Sequence, residues 1–371
     1  MQVCKRCIMD SSIPNISFDS NGICSYCGIH DKMESEYHIG AAGENKIKEI
    51  VDIVKEDGVG KQYDCVVGIS GGCDSSLLLY KVKQYGLRPL AVTFDNTWST
   101  PISTQNVSNM CDKLDVDLHT HVVDSEEFND ISRSFLYASV PDADIPNDIA
   151  IAKLYYNAME EYDINYSFCG HSFRTEGTVP IGWTYMDGKY IESVHNKFGK
   201  IPFKTYPNLS LDYWFKNLHR KRIRLLYYME YNKEEVKKML IRDFGWQWYG
   251  GHHYENEYTK FVKGILLPNK FKIDKRYVEY SALVRSGNMT RDEAIYDMTM
   301  PSGTEPGFLE YVLKRLGLTH KQFEEIMSLP IKSFRDYDTN HKYFVDHKTE
   351  LNEMVEKGLI PRTFYEKYTR P

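Results

Sequence analysis

No stretch of the 371-residue chain approaches the 18 or so consecutive apolar residues that a membrane-crossing helix requires. Excess positive charge is missing as well. The 46 Lys and Arg against 52 Asp and Glu leave a formal charge of −6. That balance argues against a protein that coats nucleic acid through its phosphates, although one small, specific RNA contact stays open. Met1 to Cys7 lacks the apolar core of a signal peptide, so the expected location is cytoplasmic. There is no internal repeat and no low-complexity linker. A Walker lysine is absent too: Gly58-Val59-Gly60-Lys61 precedes the first apolar run and lacks the required spacing, which disfavours a P-loop NTPase or a simple kinase. In a reducing compartment the eight cysteines are expected as metal ligands, buried hydrophobes or catalytic thiols rather than as disulfides.

What is present divides into three stretches. Residues 1–40 hold four cysteines among turn formers and too few apolar residues for an independent core, so this knuckle needs a staple. Cys4-x2-Cys7 and Cys24-x2-Cys27, 16 residues apart, place two thiolates on each of two tight turns. That spacing predicts a closed S4 shell of the kind structural zinc occupies, with no open position for catalysis.

Residues 41–205 alternate between helical periodicity and short apolar runs (63–69, 89–94, 118–123, 166–169). Strands alternating with helices predict an α/β fold with a doubly wound parallel sheet. Ligands of such sheets bind beyond the carboxyl ends of the strands, so the loops after Ile69, Phe94 and Cys169 are expected to converge. Residues 206–371 read as a mainly helical region, with helices expected at 233–244, 254–266, 275–286, 290–297, 307–316 and 319–328.

The most informative segment is Gly68-Ile69-Ser70-Gly71-Gly72-Cys73-Asp74-Ser75-Ser76, between the first strand and a helix. Adjacent glycines let backbone approach a ligand, free N–H groups at a helix start favour an anion, and Ser70, Ser75 and Ser76 add hydroxyl donors. The loop resembles the SGGxDS motif of the PP-loop ATP pyrophosphatases (adenine nucleotide alpha hydrolase-like), which split ATP into AMP and pyrophosphate. The resemblance implies that Gly68, Ser70, Gly71, Gly72, Asp74, Ser75 and Ser76 hold ATP. It further implies adenosine contacts at Phe94 and Asp95, and a further contribution from Gly170 and His171. Asp74 and Glu176 are the candidates for Mg²⁺, and Arg174 for a phosphate or substrate contact.

Over a longer span the chain resembles the N-acetyl sugar amidotransferases of bacterial lipopolysaccharide O-antigen and nonulosonic acid synthesis. The segments that carry this are Cys4–Asp10, Ser139–Asp148, Thr175-Glu176-Gly177, Trp248–Glu255, Ile273–Arg276 and Leu283–Gly287. The resemblance implies adenylation of the acetamido oxygen of a nucleotide-linked sugar and its replacement by ammonia, giving an acetamidino group. Asp74, Glu176, Lys204 and His252 are the candidate catalytic residues, with His253 and Glu255 as further candidates for substrate binding or proton transfer. No glutaminase-length segment remains, so ammonia is expected from a separate HisH-like glutaminase with a HisF-like companion. The expected cofactors are ATP, Mg²⁺ and structural zinc.

The rival reading is a tRNA sulfur transferase using the same adenylation. It would need a persulfide-carrying cysteine, for which Cys73, Cys111 and Cys169 are available. The basic run Lys216 to Arg224 could meet RNA, a sugar nucleotide's diphosphate or only solvent.

Overall fold

The computed structural model describes residues 2–301 and 304–370; Met1 and Pro371, the outer bounds of the expected first and last stretches, lie outside the described residues. The chain enters through helices α1 (Ser25–Glu36) and α2 (Gly40–Asp57) and then β1 (Cys65–Gly68). β1 is buried on both faces: Cys65 and Val67 join one apolar cluster and Val66 another. A run apolar at every position is the mark of such a central parallel strand.

After β1 follow α3 (Cys73–Gln84), β2 (Pro89–Asp95), α4 (Pro101–Leu114), β3 (Leu118–Val122), α5 (Ser125–Ala138), α6 (Ile145–Glu161) and β4 (Tyr166–Phe168). Gly86, at φ +75°, lets the chain leave α3 and turn into β2. Next come α7 (Gly188–Phe198), α8 (Leu211–Lys216) and β5 (Lys221–Ile223). The strands form one sheet in the order β3-β2-β1-β4-β5, every neighbouring pair parallel. The fifth strand lies inside the basic run and beyond residue 205, so the sheet extends into the stretch expected to be helical. Within that run, Arg222 lies over the Tyr155 ring at 4.7 Å.

Strand order reverses between β1 and β4, which opens a crevice at their carboxyl ends. One face of the sheet carries α2, α3 and α4 through Ile47, Leu77, Leu78 and Met110. The other carries α6 through Leu154, Ala158 and Met159.

The remaining elements are helical: α9 (Lys233–Phe244), α10 (Glu257–Phe261) running into a π-helix (Val262–Phe271), α11 (Arg276–Arg285), α12 (Arg291–Thr299), α13 (Phe308–Leu316), α14 (His320–Ser328), α15 (His341–Asp346), α16 (Lys348–Glu356) and α17 (Arg362–Tyr368). Of these, α9 joins the sheet-side cluster through Val236, Leu240 and Phe244, whereas α10, the π-helix, α11 and α13 to α17 pack with α5, α7 and the N-terminal cysteines into a third apolar cluster containing Met9, Phe135, Tyr190, Phe261, Val312 and Leu351. The N-terminal knuckle therefore has no core of its own and borrows that of the helical region. Among the described residues no helix is long and apolar enough to cross a membrane.

Candidate functional site

The crevice between β1 and β4 is the mouth of a cavity of about 740 Å³, within the range of small-molecule sites. Gly68, Ile69, Ser70, Gly72, Asp74 and Ser75 form its floor, Phe94 comes from the end of β2, and Gly170 and His171 from the loop after β4. The three loops expected to converge do so.

The glycine turn is clamped from behind. Gly71 has φ +77°, and a Cβ there would lie 2.2 Å from the backbone oxygen of Ser103. Its carbonyl accepts hydrogen bonds from Trp246 Nε1 (2.9 Å) and Asn106 Nδ2 (3.1 Å). In front, the Ser70 N–H donates to Ser75 Oγ at 3.2 Å, which leaves the loop curled around the start of α3. Gly170 is also closely approached, since a Cβ would sit 3.0 Å from the Ser75 backbone.

Asp74 is held from both sides. Its Oδ1 accepts from Tyr231 Oη (2.6 Å) and its Oδ2 pairs with Lys233 Nζ (2.9 Å). Burial works against the Lys233 charge, but Asp74, Glu176 and Glu279 hold its pKa above the usual lysine range. Asp74 and Glu176 thus offer hard carboxylate oxygens of the kind Mg²⁺ takes, with Lys233 balancing their charge.

The opposite wall comes from the turn before α10 and from α11: His252, His253, Glu255 and Glu279 all line the cavity. His252 Nδ1 lies 2.8 Å from Glu279 Oε2. His253 lies between two carboxylates, its Nε2 3.6 Å from Glu176 and its Nδ1 3.7 Å from Glu255. Burial raises the Glu176 carboxyl, yet His171, His253, Lys233 and Lys263 together hold it below its ordinary pKa. Burial and the neighbouring His253 push the His252 pKa well below the ordinary imidazole range. Lys263, on the π-helix, is lowered to about 8 by burial and by Lys275.

The four N-terminal cysteines are buried and form no disulfide. Their sulfurs stand 3.8 Å (Cys4–Cys27), 3.6 Å (Cys7–Cys24) and 3.6 Å (Cys24–Cys27) apart. A tetrahedron with Zn–S bonds of about 2.3 Å has edges of about 3.8 Å, so the cluster fits a zinc knuckle. Arg285 of α11 points its guanidinium at the sulfurs of Cys7 (3.2 Å) and Cys27 (3.3 Å). Arg291 donates to the carbonyl oxygens of Cys4 and Cys7, both at 3.1 Å.

Not every expected residue reaches the cavity. Lys204 is exposed and does not line it; its backbone N–H is held by Glu127 Oε1 at 2.7 Å, in the first turn of α5. Asp95 turns its carboxylate back to the Thr97 N–H (2.7 Å). Ser76 is buried in α3, off the cavity, and Gly71 shapes the loop without lining it. Arg174 braces α1 through Glu34 (2.7 Å) and the Tyr37 carbonyl (2.7 Å), and so it is structural rather than a substrate contact. Conversely, Tyr231, Lys233, Lys263 and Glu279 belong to the site or its support and were not anticipated. Lys233 opens a helix behind its cap Asn232 and reads in sequence as one more surface lysine.

Residues 255–351 match the family model described as LPS biosynthesis protein WbpG-like, C-terminal domain. Among curated proteins, the chain is 23% identical over 186 residues to the tRNA-specific 2-thiouridylase MnmA 2 of Fusobacterium nucleatum, covering 48% of this chain and 50% of that protein. It is 26% identical over 154 residues to the probable mitochondrial tRNA-specific 2-thiouridylase 1 of Caenorhabditis elegans, covering 38% and 40%. The chain thus spans half or less of the length of these relatives. Among solved structures, NMN synthetase from Francisella tularensis overlaps 78% of this chain and 98% of its own, at 11% identity and a TM-score of 0.31. The U34-tRNA thiolase NcsA from Methanococcus maripaludis, solved with its [4Fe-4S] cluster, overlaps 85% and 98% at 13% identity and a TM-score of 0.31. The α/β parallel sheet, the cysteine cluster and the helical C-terminal region agree with the fold class read from the sequence.

Proposed function

We propose that the protein is a cytoplasmic, AMP-forming amidotransferase that converts the acetamido group of a nucleotide-linked N-acetyl sugar into an acetamidino group. The observation that carries this reading is one shared cavity. The glycine turn and Asp74 share it with Glu176, His252, His253 and Glu255, and Glu255 lies in the segment matching the WbpG-like domain of lipopolysaccharide biosynthesis.

An amide carbonyl is a poor electrophile, so its oxygen first attacks the α-phosphorus of ATP and pyrophosphate leaves. Ammonia then adds to the activated carbon, AMP departs with the former amide oxygen, and a proton is lost. The curled loop supplies fixed donors for the departing phosphates, and Lys233 supplies a cation beside Asp74. Mg²⁺ bound with the nucleotide at Asp74 and Glu176 would neutralise charge developing on the phosphates. The carboxylate of Glu255, whose Oε2 is buried without a hydrogen-bond partner, is placed to accept the proton that the incoming ammonia gives up. Zinc at Cys4, Cys7, Cys24 and Cys27 serves structure. Ammonia comes from a partner, a HisH-like glutaminase with a HisF-like companion; a purified chain that used glutamine as well as ammonium would refute that part.

The test offers ATP, Mg²⁺ and ammonium with a panel of nucleotide-linked acetamido sugars. Mass spectrometry should find one amide oxygen replaced by NH, with AMP and pyrophosphate formed in equal amounts. Absence of product with every sugar, alongside thiolation of tRNA, sinks the proposal.

The tRNA sulfur-transferase reading is favoured by the two thiouridylase relatives alone. Of its candidate thiols, burial pushes Cys73 up to about 12 and Cys111 up to about 11, which leaves both unreactive. Only Cys169, partly exposed at the end of β4, fits the role. Cys169→Ser should leave an amidotransferase active and abolish thiolation.

A further inference from the structure

His252 and His253 are adjacent in sequence, yet their rings lie side by side, centroids 3.9 Å apart and 31° from parallel. The cause is the backbone: His253 has φ +61°, a left-handed conformation that a histidine adopts only at a cost in free energy. In this arrangement His253 Nε2 lies 3.6 Å from Glu176. Donor nitrogens of the two histidines and a Glu176 oxygen all lie within 4.8 Å of one another.

The hydrogen bonding around the pair leaves the same gap. His252 Nδ1 is taken by Glu279 at 2.8 Å, and its Nε2 is buried with no hydrogen-bond partner. With Nδ1 carrying the proton, Nε2 presents a bare lone pair away from water, which is costly unless something binds it. A carboxylate behind the far nitrogen is also what orients a metal-binding imidazole. Glu255 Oε2 is likewise buried and unpartnered, while its Oε1 lies 3.7 Å from His253. Three carboxylates, Glu176, Glu255 and Glu279, line this one wall and would gain from a cation among them.

We infer that Glu176, His252 and His253 form a binding site for a divalent transition-metal ion, with Glu279 positioning His252 and open positions facing the cavity. Two imidazoles and a carboxylate select zinc, manganese, iron or cobalt over magnesium, which keeps to oxygen donors. The ion is distinct from the knuckle zinc, whose four sulfurs close its shell. It is distinct too from Mg²⁺ carried with a nucleotide, although Glu176, with two oxygens, can face both. The inference rests on the cavity wall and not on amidotransfer, so the two can fail separately.

The test uses the full chain with its knuckle loaded with zinc, titrated with Co²⁺ alone and then with a large excess of Mg²⁺. One equivalent of Co²⁺ should bind with visible d–d bands and no thiolate charge-transfer band, and Mg²⁺ should not displace it. His252→Gln and His253→Gln should each weaken binding at least ~100-fold, and Glu279→Gln about tenfold, with zinc content and the unfolding temperature checked in each. Failure of the zinc-loaded wild-type chain to bind Co²⁺ overturns the site, as does displacement by Mg²⁺. Unchanged affinity in both histidine variants, if they are folded and zinc-replete, overturns it as well.

Discussion

Replacing Gly71 by alanine tests whether the shape of the glycine turn matters apart from its hydroxyl donors. Two costs add. A left-handed backbone costs an alanine roughly 1–2 kcal/mol. In addition, the new Cβ would stand 2.2 Å from the Ser103 carbonyl oxygen, about 1.2 Å short of the 3.4 Å at which ordinary contact begins. The obstacle is backbone, so no side chain can swing aside, and overpacking of this kind costs about 1–3 kcal/mol. The loop must therefore give way, breaking its bonds to Trp246 and Asn106 and displacing Ser70 and Gly72. A displacement of about 1 Å in a group that positions a reacting phosphate costs about 100-fold in rate. Gly60→Ala is the control: Gly60 also has positive φ (+80°) but has nothing within 4 Å of its would-be Cβ. Thermal unfolding and pyrophosphate release would be measured for both. Gly71→Ala should be less stable than Gly60→Ala by about 1–3 kcal/mol and, still folded, release pyrophosphate about 100-fold more slowly. Equal stability of the two variants, or wild-type release by Gly71→Ala, would falsify the argument from close approach.

The other predictions concern buried charge. Lys233→Met should destabilise the fold by about 3–5 kcal/mol because Asp74 loses its counter-charge. The double variant with Asp74→Asn should recover part of that loss in denaturant titration, and strict additivity would refute the pairing. Lys263 has a folded pKa of about 8, below the unfolded value. Its charge therefore costs stability in full below pH 8, and that cost fades as pH rises towards the unfolded pKa. Lys263→Met should accordingly be more stable than wild type by ~1–3 kcal/mol at pH 7, with the advantage shrinking above pH 8; an advantage that grew with pH would show the sign to be wrong. Arg285→Met should speed loss of the knuckle metal to a chelator by about tenfold, read by a colorimetric zinc indicator. Loss at the wild-type rate would mean that the guanidinium does not stabilise the thiolates.

Features set by local chemistry were legible in the sequence. Cys-x2-Cys pairs and a double-glycine turn between an apolar run and a helix depend on spacing alone, and the structure brings each set together. The helices at 233–244 and 319–328 showed in their periodicity and caps, and the former lies at Lys233–Phe244 as read. β5 was hidden because Lys221-Arg222-Ile223 at a sheet edge reads as a charge run; only pairing with Tyr166–Phe168 makes it a strand. Lys204 was misplaced because a single lysine on a loop carries no period by which its direction can be judged. Lys263 and Glu279 were missed for a related reason. Each sits on a helix whose face towards the cavity is polar, and in sequence a polar face turned to a cavity looks like one turned to water.

Arg285 and Glu279 lie on one helix six residues apart, roughly 9 Å along its axis. One end of α11 rests on the cysteine sulfurs and the other steadies His252. The ribosome makes those cysteines first and the arginine some 260 residues later, so an ion captured early stays incompletely neutralised until the helical region has docked. The expected order of maturation is capture, docking of α11, and only afterwards a correctly aimed imidazole. A chain starved of metal during synthesis should accumulate as a species that is folded around its sheet but whose cavity wall is unfinished, and late addition of zinc should repair it without refolding the sheet.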